Sequence, residues 1–159
     1  MCYNPNMITQ EFTIDIHASK EKVWNVMLED KTYRIWTEAF HEGSYYEGSW
    51  DKGSDIKFVA SDDGKISGMA SKIVENIPFE YISIEHLGVI IDGIVDTSSE
   101  NVQQWVGIHE NYILKEKDGI TSLKIELESK GAHKEMDEMF KEMWPKALLK
   151  LKEICENNE

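Results

Sequence analysis

Three side chains have the types and positions to do chemistry together: His86, Glu110 and Tyr112. In a predicted strand over 80–89, Ile82, Ile84, His86 and Gly88 share one face, opposite Tyr81, Ser83 and Glu85. The more apolar set should turn inward, and it takes His86 with it. In a predicted strand over 103–116, Gln104, Val106, Ile108, Glu110, Tyr112 and Leu114 form one row. Trp105, Gly107, His109, Asn111 and Ile113 form the other, competing row. The first is the more regular apolar row, so Glu110 and Tyr112 are expected inside. An imidazole beside a carboxylate and a phenol could orient a carbonyl or hydroxyl of a bound molecule. It could also do the general acid–base work that cyclases need. The structural alternative is that Glu110 and Tyr112 satisfy each other or the backbone, because buried polar groups must find partners. The residues alone leave ligand contact and mutual satisfaction open, with catalysis the weaker third.

The other chemistry-bearing residues form no site. His17 ends a strand, His41 follows a helix and His133 begins one, so each is expected at the surface or in a cap. No His-Glu-x-x-His helix or cluster of Cys and His occurs, and Asp92, Asp96 and Glu100 lack the spacing of a calcium loop. The glycines form no phosphate-cradling loop before a helix, and the serines have no nucleophile-elbow context. No metal and no cofactor are expected.

Positioning falls to a sheet and a long terminal helix. Over 133–159, Met136, Met139, Phe140, Met143, Trp144, Ala147, Leu148, Leu151 and Ile154 recur at steps of three and four, which places them on one helical face. The first half of that face is Met, Phe and Trp, a soft and deformable surface suited to closing over a variable guest. Pro145 removes a helical donor beside Trp144 and should bend the helix there, separating a packed anchor from a softer lid.

Upstream, Ile8, Phe12, Ile14 and Ile16 alternate with polar residues as a strand. Ser19 reads as the N-cap of a short helix carrying Val23, Trp24, Met27 and Leu28. Asp30 reads as the N-cap of a second, which turns Tyr33, Trp36 and Phe40 inward. Strands are then predicted at 44–50, 55–61, 65–77, 80–89, 103–116 and 120–129, with hairpin turns at Asp63-Gly64 and Asp118-Gly119. The stretch 89–102 reads as a long connection.

Composition bounds the rest. The 159 residues, 41% hydrophobic and 30% charged, make one domain with its core over about 7–156. No apolar run nears the length of a membrane span, and residues 1–10 lack a secretory pattern, so a cytoplasmic location is expected. Cys2 and Cys155 are then expected as reduced thiols, with a disulfide between the two ends as the alternative. A net charge of −13 argues against nucleic acid and against anionic membranes.

Local sequence adds a resemblance. The fragments Ile14-Asp15-Ile16-His17-Ala18-Ser19-Lys20-Glu21-Lys22-Val23-Trp24, Tyr33-Arg34-Ile35-Trp36-Thr37 and Glu47-Gly48-Ser49-Trp50-Asp51-Lys52-Gly53-Ser54 carry it. So do Glu75-Asn76-Ile77-Pro78-Phe79-Glu80-Tyr81-Ile82 and Trp144-Pro145-Lys146-Ala147-Leu148. In this order they resemble the SRPBCC (START/birch-pollen-allergen) superfamily, most nearly the homologues of the heat-shock chaperone ATPase activator. The resemblance implies an α+β helix-grip fold, in which a curved antiparallel sheet of about seven strands is covered on its concave face by the terminal helix. It implies a cavity between the two but no one activity, since that superfamily includes lipid carriers, hormone receptors and cyclases.

The expectation is therefore a non-enzymatic carrier or sensor for a small apolar or amphipathic molecule. Its cavity should be lined by Trp36, Phe40, Trp50, Phe58, Ile84, His86, Glu110, Tyr112, Met136, Met139, Phe140 and Met143. A cyclase- or hydrolase-like enzyme using His86 and Glu110, and a chaperone-contacting module, are the alternatives. The sequence does not give an oligomeric state.

Overall fold

The first strand shows how the alternation is used. In the computed structural model, which describes residues 7–131 and 134–157, β1 (Ile8–Ile16) pairs antiparallel with β8 (Ile120–Ser129). The register sets Phe12 against Ile125 and Ile14 against Leu123, so the apolar rows of both strands share one face.

Two short helices follow. In α1 (Lys20–Leu28) the Ser19 hydroxyl accepts the Lys22 N–H at 3.1 Å, the expected N-cap, and Val23, Trp24, Met27 and Leu28 are buried. Ser19→Ala should cost about 1 kcal/mol of stability, read as a lower urea midpoint with an unchanged slope. Before α2 (Asp30–Trp36) the cap position belongs to Glu29, which makes no side-chain cap bond. Asp30, expected as the cap, is instead the first helical residue and pairs with Arg34 at 3.1 Å, one turn on. A 3₁₀ turn at Thr37–Ala39 then delivers Phe40.

The remaining strands are β2 (Ser44–Gly48), β3 (Asp55–Asp62), β4 (Lys65–Ile77), β5 (Tyr81–Ile91), β6 (Ile94–Asp96) and β7 (His109–Lys117). The sheet order is β1-β8-β7-β5-β4-β3-β2, with β6 also paired to β5. The last element, α3 (Lys134–Glu156), continues through the exposed Pro145 and packs its Trp144, Ala147, Leu148, Leu151 and Cys155 inward. Burial pushes the Cys155 thiol up to about 12. This is an α+β helix-grip architecture. Cys2 and His133 lie outside the described residues. Among the described residues, no helix is long and apolar enough to cross a membrane.

Two expectations are corrected between β5 and β7. The stretch 89–102 is not all connection: β5 runs on to Ile91, turns at Asp92-Gly93 and returns as β6. Asp92 and Gly93 have φ of 51° and 78°, close to the 51° and 79° of Asp63-Gly64, so this is the same tight turn. Ile91 and Ile94 beside the turn are exposed and no residue of β6 is buried, so no inward row marks the return strand. The strand expected over 103–116 begins only at His109. A 3₁₀ turn at Glu100–Val102 and a positive φ of 87° at Gly107 keep the preceding residues out of a ladder. That irregular segment is tied down at its end, where Gly107 N–H donates to His86 O at 2.8 Å and His86 N–H donates to Ile108 O at 2.9 Å.

Candidate functional site: an aromatic cavity under the last helix

A cavity of about 450 Å³ lies between the sheet, α2 and the first turns of α3. Its walls come from every layer of the fold. On α3, Met136, Phe140 and Trp144 follow one another at four-residue steps and face it together. From α2 and its 3₁₀ extension come Tyr33, Trp36 and Phe40. The sheet contributes Phe58, Met69 and Val89, which sit side by side across β3, β4 and β5 in the pairing Phe58–Met69–Val89.

Val89 reaches the cavity because β5 carries an extra residue. Ser71 pairs with His86 while Ala70 pairs with Gly88, so Leu87 is a bulge and the alternation shifts beyond it. Gly88, expected on the face of His86, turns instead toward Asp96 and Thr97: a Cβ there would meet Asp96 O at 2.5 Å.

Of the twelve residues expected to line the cavity, Trp36, Phe40, Phe58, His86, Glu110, Tyr112, Met136 and Phe140 do so. Trp50, Ile84, Met139 and Met143 do not, so that part of the expectation is corrected. Trp50 packs one ring behind the wall, 5.5 Å from Phe58 and 5.3 Å from Tyr46 between ring centroids. Ile84 is wholly buried in the packed core. Met139 and Met143 lie on the row of α3 next to the one that faces inward and are half-buried.

The sequence also underestimated the rim. His41 lines the cavity instead of simply following a helix, and Trp105, Ile108 and His109 line it as well. Trp105 and Ile108 belonged to competing rows of one supposed strand. The irregular backbone before His109 lets both reach the cavity, so the choice between rows does not arise there.

The polar end is a hydrogen-bonded chain. Ser71 Oγ lies 2.7 Å from His86 Nδ1, and His86 Nε2 lies 3.3 Å from Glu110 Oε1. The Tyr112 hydroxyl donates to the other carboxylate oxygen, Glu110 Oε2. One proton assignment satisfies every atom: Ser71 donates to Nδ1 of a neutral imidazole, whose Nε2–H donates to Glu110. Burial and the Glu110 charge push the Tyr112 phenol well above its ordinary range, so it stays a donor. Tyr33, in the same wall, is raised by the same causes, burial first. Glu110 and Tyr112 thus do satisfy each other, and they do it on the cavity wall.

At the mouth, Glu128 Oε1 accepts the His109 N–H at 2.8 Å and lies 3.0 Å from His109 Nδ1. Ser129 Oγ donates to Asp137 at 3.2 Å, and Gln10 Nε2 donates to Asp137 O at 3.1 Å, joining β1 and β8 to α3. Lys130 Nζ donates to Gln103 O at 2.8 Å and Val106 O at 2.7 Å, pinning the segment that carries Trp105. Lys130→Ala should therefore speed amide exchange over 99–108 by about tenfold, the equivalent of roughly 1.4 kcal/mol for two charge-assisted bonds. Equal exchange in the two proteins would show that the segment is held by its apolar contacts instead.

Among the described residues, no group of three or more His, Cys, Asp or Glu is arranged to hold a metal. What the arrangement can do is surround an apolar body with rings and offer it the carboxylate of Glu110, the imidazole of His86 and the phenols of Tyr33 and Tyr112.

No family model matches this chain, and no curated protein matches it. Solved structures do. A crystal structure of a protein from Mesorhizobium loti superimposes with a TM-score of 0.73 at 13% identity, covering 96% of this chain and 99% of that one. The Aha1 dimer from Colwellia psychrerythraea, a solution structure, gives 0.68 at 20% identity over 96% and 98%. A crystal structure of a Chromobacterium violaceum protein gives 0.65 at 17% over 98% and 100%. At these identities the likeness is one of fold, and the fold it shows is the helix grip described above.

Proposed function

We propose that this protein is a carrier or sensor that takes up a small, mostly apolar molecule between its sheet and α3. The observation that carries this reading is the cavity itself: about 450 Å³ walled by eight aromatic side chains, with His86, Glu110 and Tyr112 hydrogen-bonded together on its wall. Ligand sites typically occupy roughly 300–1,000 Å³ and combine apolar walls with a few convergent polar groups. A merely structural core would be filled by its own side chains, because empty apolar volume destabilises. The expected cytoplasmic location belongs to this proposal.

Native mass spectrometry of protein purified from cells without organic solvent tests it. Wild type should carry a small-molecule adduct that Met69→Trp, which fills the middle of the cavity, excludes while keeping its far-UV circular dichroism. The same adduct on both proteins would place the molecule elsewhere and sink the reading.

The second reading is an enzyme of the cyclase or hydrolase kind, and the Ser71–His86–Glu110 array is what favours it. Against it, Ser71 is buried and is not among the residues lining the cavity, so its hydroxyl has no substrate to attack. General acid–base work by His86 and Glu110 remains as its only route, and turnover undiminished in the double alanine variant would dismiss that route. A chaperone-contacting module is the third reading. It rests on the fold shared with the Aha1 dimer, and a pull-down devoid of chaperone would end it.

A further inference from the structure

We propose that the cavity is selective for charge: it takes an amphipathic amine in preference to the matching alcohol, and rejects the matching carboxylate. The inference rests on the cavity being a binding site and says which chemistry that site accepts.

Three carboxylates line the cavity, Glu110, Glu128 and Asp137, and among its described lining residues there is no Lys or Arg. Of these, Glu110 carries the proposal. Its side chain is 19% exposed, and both oxygens are engaged by side chains that are neutral in the proton assignment above, His86 and Tyr112. Uncharged donors satisfy both oxygens without cancelling the field of the carboxylate, and in an apolar surround that field acts at close range. Glu128 and Asp137 at the mouth are likewise held by His109 and Ser129. The titratable groups facing Glu110 are thus His86 from β5, Tyr112 from its own strand and Tyr33 from α2.

The walls add to the effect. Tyr33, Trp36, Phe58 and Tyr112 line the same cavity as this carboxylate, and the negative face of an aromatic ring favours a cation over an anion. The net charge of −13 has the same sign over longer distances. A buried carboxylate on the ligand would face Glu110 with no counter-ion. An ammonium group would supply the missing one.

Isothermal titration of the whole protein with three probes of one shape decides the matter: naphthylethylamine, naphthylethanol and naphthylacetate at neutral pH and low salt. The amine should bind at least about tenfold more tightly than the alcohol, and the acid at least about tenfold more weakly, as expected for unit charges a few ångströms apart at an effective dielectric near 20 after discount for exposure. Glu110→Gln, which keeps an acceptor and removes the charge, should bring amine and alcohol within about threefold of each other, while a variant carrying both Glu128→Gln and Asp137→Asn keeps most of the preference. Amine and alcohol binding alike to the wild type, or the acid binding best, would overturn the charge selectivity and leave the cavity reading standing. A preference that persists in folded Glu110→Gln would overturn the assignment to Glu110. Saturable binding of none of the three would overturn both. The wild-type ranking decides the proposal even if Glu110→Gln fails to fold.

Discussion

Gly68→Ala should destabilise the protein by at least about 3 kcal/mol, at or beyond the upper end for overpacked positions. Gly68 sits inside β4, opposite Val59 on β3 and Ile90 on β5, where the strands approach unusually closely. A Cβ added there would lie 1.9 Å from Phe58 O and 2.8 Å from Val59 Cα. Both are backbone atoms, so no change of rotamer relieves the clash and the ladder itself must move. The consequence reaches the cavity, because Phe58, Val59 and Gly68 all line it. Gly64→Ala is the control. Gly64 has φ +79° and nothing within 4 Å of an added Cβ, so its cost should be only the left-handed penalty, about 1 kcal/mol. Urea unfolding of the two variants compares them, and equal losses would show that the crowding at Gly68 is relieved by cheap adjustment.

Trp36→Ala should cost about 3 kcal/mol, the lower end for removing a buried Trp because one side of the ring already faces open space. The side chain is 2% exposed and sits between α2 and α3, with ring centroids 5.5 Å from Tyr33 and 6.1 Å from Trp144. Its indole N–H donates to Met27 O at 3.1 Å, so the ring also ties α2 back to α1. At roughly 2–4 °C per kcal/mol for a chain of this size, the melting temperature should fall by about 6–12 °C. Trp36→Phe separates the two contributions. It keeps most of the packing and orphans the Met27 carbonyl, at about 1 kcal/mol. A loss in Trp36→Phe as large as in Trp36→Ala would mean that the hydrogen bond, not the ring, holds the helices.

Much of this architecture was legible in the chain because it follows from local rules. Alternation in β1 and β8, the Ser19 cap, and the Asp-Gly turns at residues 63–64 and 118–119 each have a short-range cause, and each stands as read. Failures came where tertiary context overrides a local pattern. The Asp92-Gly93 turn carried the same signal as the other two, but its return strand, β6, is short and buries no residue, so no inward row confirms it. The bulge at Leu87 exchanges the faces of β5 beyond His86, and no single-strand pattern announces a bulge whose cause is pairing. Before His109, the positive φ at Gly107 breaks what looked like continuous period two.

The cavity residues divide in the same way. His86, Glu110 and Tyr112 converge because alternation holds through the parts of β5 and β7 that pair with each other. On α3, helical spacing identified the apolar arc but not its centre. Only packing against the sheet shows that Met136, Phe140 and Trp144 face the cavity while Met139 and Met143 flank them. Trp50 was misplaced by a single layer of rings, a distinction that residue type cannot make.

A two-dimensional NMR titration with naphthylethanol shows whether the space beneath the first turns of α3 receives a small apolar guest. Saturable shifts should concentrate on the side chains of Met69, Met136 and Phe140 and on the indole N–H of Trp105, with the core at Leu151 and Ile125 undisturbed. Shifts that grow without saturating, or that cluster on the exposed β5–β6 hairpin around Ile91 and Ile94, would contradict binding in that space.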